Sequence, residues 1–422
     1  METPGSDSER NVHYRDYRVV LVHRFVAIVV PPRSTSPPGV ARMKFAFCIF
    51  AYFPYGGLQR DCMQLVRECQ RRGHVVDLYT GEWDGPRPDD ISVVLIPSGA
   101  FTNHGVNVRF ARNVLPQLQA GNYDAVVGFN KMPGLDVYYA GDVSYAQRVL
   151  PLSPVKRAMP RYRQLLAFER AVFGPTSTAE IVLLAESQQD DYVRHYHTPP
   201  HRFHIMPPDM PRDRLFTGDR SIARVSARDR FKLQTGDRLI LMVGSGFKAK
   251  GVDRAIRALA ALPSSLRAIS RLVVVGEDNA APYRALARTL NVSASVEFVG
   301  GQSNVEPYYL AADLLIHPAY HEMTGTVLLE AMGHGLPVLT TDTCGFAIHI
   351  SRALAGEVLV SPFNQDALND RLTAMLNASA QEAWSTNGLR YMRNLPLGLR
   401  ARSAADVIEE TARRVSMSCT SA

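Results

Sequence analysis

Two glutamates eight positions apart, Glu322 and Glu330, and a lysine set among glycines, Lys250, have types and spacing that suit chemistry on a phosphorylated sugar. Glu322 stands just ahead of Thr326–Gly333, a segment helical by composition, and Glu330 lies within it. Gly325 leaves the first-turn amides open. The backbone from Met323 through Thr324 and Gly325 to Thr326 can therefore receive an anion at a helix N-terminus. Phosphate oxygens would meet the helix there, Glu322 would accept from sugar hydroxyls, and Glu330 would take the vicinal hydroxyls of a ribose. The plainer alternative is that an acidic residue near a helix start answers only to the macrodipole.

The glycines at 244, 246 and 251 match neither G-x-G-x-x-G nor a P-loop, because Val252 follows Gly251 where Lys and then Ser or Thr are needed. Lys250 then reads as a compact cation that neutralises a leaving diphosphate. The sequence places it at a helix start, where it opposes the macrodipole, and that conflict itself points to function. No Asp-x-Asp pair occurs, the usual device for holding a divalent ion on a nucleotide diphosphate, so no metal and no cofactor are expected.

The elements that must hold these residues alternate strand and helix. Asp313–His317 reads as a strand stopped by Pro318, and Gly335 with Pro337 closes the helix ahead of a strand at Val338–Thr341. From Met43, the run KFAFCIF reads as a buried strand, followed by a glycine turn and the helix Leu58–Arg72 closed by Gly73. Further strands follow at Val75–Tyr79, Ser92–Ile96 and Ala125–Phe129. A second set begins near Arg238 with RLILMVGSG, RLVVVGED, VEFVG and a helix around Val305–Ala312. The pattern predicts an α/β chain of two doubly wound parallel-sheet domains. Helices follow at Gln365–Leu376 and around Trp384–Met392, with a last apolar-periodic segment at Ala404–Val415.

A strand ending in His-Pro, then Glu-x7-Glu-Ala-Met, then Gly-x-Pro-Val resembles the signature of the retaining glycosyltransferases of family 4, which have the GT-B architecture. Phe53–Asp61, Thr102–Gly105, Gly128–Ala146, Arg161–Phe173 and Lys250–Ile256 extend the resemblance, within that family, to the lipopolysaccharide core glucosyltransferases, from about Met43 to the C-terminus. The resemblance implies two Rossmann-like domains facing a cleft: residues 43–210 for the acceptor and 211–399 for the nucleotide sugar, with a helix at 400–416 packing back on the first. It implies transfer with retention from a UDP-hexose, glucose foremost, to a heptose of the lipopolysaccharide inner core. It makes Gly57 a neighbour of the donor phosphates and Arg214 a cationic donor contact. Leaving-group charge then falls to Lys250, Arg214 and the helix N-terminus. Asp142 would orient donor or acceptor hydroxyls, with helix capping as its alternative; Asp61, His104 and Lys131 are acceptor-side candidates. Three positions depart from the pattern: Ser245, Ala249 and Gln302 stand where relatives carry arginine, and Lys248 is placed to compensate for one of them.

The 422 residues, formal charge of +7 and pI near 9.2 suit two cores and acidic partners. No nucleic-acid motif accompanies the charge. Five scattered cysteines (Cys48, Cys62, Cys69, Cys344 and Cys419) lack metal-ligand spacing and read as reduced cytoplasmic thiols. In the segment 156–173, Lys156, Arg157, Arg161, Arg163 and Arg170 interleave with Tyr162, Leu165, Leu166, Phe168 and Phe173. That mixture suits peripheral contact with the anionic inner face of the inner membrane, or else a solvated basic face on a core-packed helix. Residues 1–42 read as a disordered leader, or as untranslated if Met43 is the start; their apolar run Val19–Val30 is too short to span a membrane. A GT-B nucleotide-sugar epimerase, a catalytically idle UDP-sugar-binding protein and a glycoside hydrolase are the competing functions. Nothing in the sequence sets an oligomeric state.

Overall fold

The computed structural model describes residues 42–54, 56–99, 102–210 and 214–420. All of the expected leader but Arg42 lies outside these residues, as does the side chain of Cys419. Thirteen strands are present among the described residues. In the first lobe they are β1 (Lys44–Tyr52), β2 (Val75–Trp83), β3 (Ser92–Leu95), β4 (Ala125–Gly128), β5 (Val137–Ala140), β6 (Glu180–Leu183) and β7 (Phe203–Ile205). In the second they are β8 (Arg238–Val243), β9 (Ser270–Val275), β10 (Val296–Gly300), β11 (Leu314–His317), β12 (Val338–Thr341) and β13 (Gly356–Leu359).

Both sheets are parallel, in the orders β3-β2-β1-β4-β5-β6-β7 and β10-β9-β8-β11-β12-β13. The apolar runs are unbroken because helices cover both faces: Phe45 to Ile49 of β1 and all of β11 are buried. In each sheet the winding direction reverses beside the first strand of the lobe, between β1 and β4 and between β8 and β11. The loops leaving those strands open a crevice at their carboxyl ends, the ligand-binding position of doubly wound sheets. Gly57, Lys131, Lys250 and Glu322 all stand on such loops or at their exits.

Several elements run past their expected ends. β2 continues from Tyr79 to Trp83 because β1 pairs with it as far as Tyr52, whose ring stacks on Trp83 at 3.9 Å. Lys250 is not at a helix start: it ends the one-turn helix Phe247–Lys250, and Gly251, at φ +77°, breaks the chain before the helix Val252–Ala261. The expected conflict with the macrodipole therefore disappears, since a cation at a helix C-terminus is favoured. The last helix runs from Arg400 to Thr420. It buries Ala404, Ala405, Ile408 and Ala412 in the core of the first lobe, and Arg72 binds its Asp406 at 2.6 Å and Glu409 at 2.9 Å.

Candidate active site

At the crossover of the second sheet, the Nζ of Lys250 lies directly against the Oε2 of Glu322. Lys250 arrives there because the loop after β8 approaches the loop after β11 very closely. A Cβ on Gly251 would stand 2.1 Å from the carbonyl oxygen of Pro318, which only glycine in this left-handed conformation avoids. Arg254 holds the second loop by donating to the carbonyls of Pro318 (3.1 Å) and Ala319 (3.0 Å) while lying between the rings of Tyr320 and Phe363. Burial pulls Lys250 below the usual lysine pKa, and the carboxylate beside it favours the charged form. Behind the pair stands His317, the last residue of β11, with its Nε2 3.5 Å from the same Glu322 oxygen. Burial drives its pKa down to about 3, so the ring is neutral.

The helix Thr326–Gly333 begins after Gly325, at φ +79°, and no side chain caps it. Its open amides adjoin Glu322 and Met323. Glu330, one turn in, is buried: Arg214 donates to its Oε1 at 2.6 Å and Tyr309 OH to its Oε2 at 2.8 Å. Met323, Thr324 and Thr326 face Gly57, Arg60, Asp61 and Arg400 across an interlobe cavity of about 800 Å³. Asp61 accepts from Tyr139 OH at 2.9 Å and lies 3.6 Å from Arg400. A second cavity, of about 370 Å³, brings Glu322, Met323 and His321 opposite Gln147, Arg148, Asp191 and Tyr192 of the first lobe.

Asp142 follows β5 and is held by three donors: Tyr138 OH, Tyr145 OH at 2.6 Å and Lys131 Nζ at 2.9 Å. Capping, its alternative role, falls to Ser144, which accepts from the Gln147 amide of the helix Tyr145–Val149. Lys131 requires a correction. Its amine is fully buried between Asp142 and Glu169 (3.1 Å), with the Tyr145 ring 3.8 Å below, so it supports Asp142 and does not touch an acceptor. Glu169 accepts from the amides of Tyr145 and Ala146, at 2.7 Å each, and from Tyr196 OH at 2.8 Å.

The structure does not bring every predicted residue together. His104 sits in the first turn of the helix Asn103–Ala120, and Gln302 bonds the Val299 carbonyl at an exposed turn; neither lines the two interlobe cavities, and Lys250, Glu330 and Asp142 stand outside those linings as well. Ser245 accepts from the Glu277 amide, and Lys248 points outward to Asp253 and Tyr320. Sequence reasoning gave no role to His317, Tyr309, Glu169 or Arg400. Only His317 carried a local signal, as the polar end of an otherwise apolar strand.

In the segment 156–173 the helices are Pro154–Ala158 and Pro160–Phe173. Lys156, Arg161, Arg163 and Arg170 are exposed, but Phe173 is fully buried, stacked on Tyr192 at 3.6 Å, and Leu166 and Phe168 pack against the same core. The outward apolar groups are instead Val155, 80% exposed, and Met159, 50% exposed. Among the described residues no helix is long and apolar enough to cross a membrane, and no group of three or more His, Cys, Asp or Glu could hold a metal ion.

Residues 55–208 match the family model described as Glycosyltransferase Family 4, and residues 225–390 match the one described as Glycosyl transferases group 1. The chain is 43% identical over 368 residues to the lipopolysaccharide glucosyltransferase WaaG of Escherichia coli (strain K12), an alignment covering 87% of this chain and 98% of that protein. A crystal structure of WaaG matches with a TM-score of 0.78 over 86% of this chain and 99% of that one. Anabaena HepE in complex with UDP-glucose, only 15% identical, shares the fold at a TM-score of 0.60 over 89% of this chain and 100% of that chain. With both lobes matched, and with a relative aligned over nearly its whole length, the chain belongs to the family 4 glycosyltransferases and is a glycosyltransferase of GT-B fold.

Proposed function

We propose that this enzyme moves glucose from UDP-glucose to a heptose of the lipopolysaccharide inner core, with retention at the anomeric carbon and without a metal ion. The observation that carries the reading is the contact of Lys250 with Glu322 beside an uncapped helix N-terminus at the crossover of the second sheet. In this arrangement the two side chains neutralise each other. A donor diphosphate would draw Lys250 to its oxygens and seat others on the helix amides, leaving Glu322 to accept from hexose hydroxyls. As the sugar–phosphate bond breaks, charge grows on the leaving diphosphate, where Lys250 and Arg214 stand preorganised to stabilise it. Glu330 keeps lone pairs beyond those given to Arg214 and Tyr309, enough to accept from the ribose hydroxyls. Asp142, held by Lys131, would orient hydroxyls from the first lobe, with Asp61 on the acceptor side.

The name of the 43% identical relative supports glucose and lipopolysaccharide as the substrates. Val155 and Met159, set among exposed basic residues, suit peripheral attachment to an anionic membrane, here the cytoplasmic face of the inner membrane. The test is a donor screen with UDP-glucose, UDP-galactose, UDP-N-acetylhexosamines and ADP- and GDP-sugars against heptose-terminated lipopolysaccharide, with and without EDTA, scored by product mass and anomeric NMR. One hexose added from UDP-glucose in EDTA, with its anomeric configuration kept, is the expected result. Incorporation only from a GDP-sugar, or conversion of donor without acceptor, would overturn it.

A further inference from the structure

We propose that His317 is a positioning residue: it holds the Glu322 carboxylate in the orientation that receives the donor's hexose hydroxyls, and so sets discrimination between epimeric hexoses. The inference rests on the reading of Glu322 as the hexose contact and extends it to a residue that touches no substrate.

The imidazole of His317 is completely buried, yet neither Nδ1 nor Nε2 has a hydrogen-bond partner among the described residues. Buried polar groups are normally paired, so an orphaned ring calls for a partner, and a bond formed in another state of the site would supply one. One candidate partner stands within reach. Nε2 lies 3.5 Å from Glu322 Oε2, roughly half an ångström beyond a well-formed N–H···O bond. The strand end that carries His317 is itself fixed: Thr340 Oγ1 donates to the His317 carbonyl at 3.0 Å, and the Ala319 amide donates to it at 2.9 Å. The backbone that carries the ring is therefore fixed, behind a carboxylate on a loop.

Lys250 currently occupies the Glu322 oxygen that His317 approaches. When the donor diphosphate takes Lys250, Glu322 loses its cation in a position where its side chain is only 14% exposed. A neutral imidazole can then supply one N–H to Oε2. That bond fixes the carboxylate plane and leaves the remaining lone pairs aimed at hydroxyls from one side only. A hydroxyl of the wrong configuration would leave a buried acceptor unpaired, which is how a polar site rejects an analogue. Without the histidine, the carboxylate can rotate to follow either epimer.

The test compares wild type, His317→Leu, His317→Gln, Glu322→Gln and the double variant His317→Leu/Glu322→Gln, using full-length enzyme and heptose-terminated lipopolysaccharide. It reads kcat and KM for UDP-glucose and UDP-galactose, UDP affinity by calorimetry, and the thermal midpoint. His317→Leu should reduce the ratio of kcat/KM for the two donors by about tenfold while leaving UDP affinity within twofold. His317→Gln, whose amide can reach the Nε2 position, should restore most of the ratio, and the double variant should be no less selective than Glu322→Gln alone. An unchanged ratio in His317→Leu, or an equal loss with and without Glu322, would overturn the inference. If His317→Leu does not fold, His317→Gln against the shorter His317→Asn decides the same point, since only Gln should keep the ratio. Wild type inactive with every UDP-hexose would instead overturn the parent reading, and this inference with it.

Discussion

Glu330 is gripped from two sides, by Arg214 and by Tyr309, before any ribose arrives. If, as proposed, its carboxylate holds the ribose equally in ground and transition states, Glu330→Gln should raise the donor KM on the order of tenfold while kcat stays within a few fold. A fall in kcat at unchanged KM would place Glu330 in the chemistry instead. The buried histidines make a separate prediction about pH. Burial lowers His317 to about 3 and His349 to about 4, against about 6.5 in the unfolded chain. As pH falls below that unfolded value, the unfolded chain takes up protons that the folded chain refuses. Their contribution to stability is thus fully present above about pH 6.5 and is lost as pH falls toward about 4 for His349 and about 3 for His317. Asp61 and Asp136, which burial raises, work in the opposite sense, so the informative quantity is a difference. Urea melts from pH 7 to pH 5 should show a shallower decline for His349→Gln than for wild type; equal slopes would show that His349 does not contribute.

At the scale of elements, what the sequence made legible was whatever its own neighbours punctuate. The helix Thr326–Gly333 and the strand Val338–Thr341 form with those bounds because Gly325, Gly335 and Pro337 bracket them locally. The place of Lys250 was not legible. The break at Gly251 answers to a carbonyl on the distant Pro318 loop, and the partners of Glu322 become visible only when β8 and β11 lie side by side. Lys131 looked like an acceptor contact for the same reason: Glu169, which encloses it, lies on a remote helix whose surface reads as merely basic. Ile408 of the last helix is fully buried in the core of the first lobe, so Ile408→Ala should cost about 2–5 kcal/mol in denaturant melts, and a loss below half of one would mean that the helix is peripheral. Val155→Asp with Met159→Asp should weaken binding to anionic vesicles at least roughly tenfold, with kcat on detergent-dispersed acceptor unchanged. Undiminished vesicle binding would remove this patch from the membrane contact.

Across the whole molecule, each sheet reverses direction beside its first strand, and the two crossovers face each other so that neither lobe holds a complete site. On the proposed reading the second lobe would supply Lys250, Glu322, Glu330 and the helix N-terminus, and the first Gly57, Asp61 and the braced Asp142. The last helix returns to the first lobe, and Gly398 and Arg400 at its start bind Asp209 at 2.8 and 3.3 Å, tying together the two chain segments that join the lobes. In the proposed reaction Lys250 leaves Glu322 for the leaving diphosphate during transfer. The most direct measurement is kcat for Lys250→Ala at saturating UDP-glucose without added metal, alongside a thermal melt to confirm folding. Loss of one preorganised cation at developing charge predicts a fall on the order of a hundredfold or more, with the melt little changed. A folded Lys250→Ala enzyme that keeps near wild-type kcat would contradict the account.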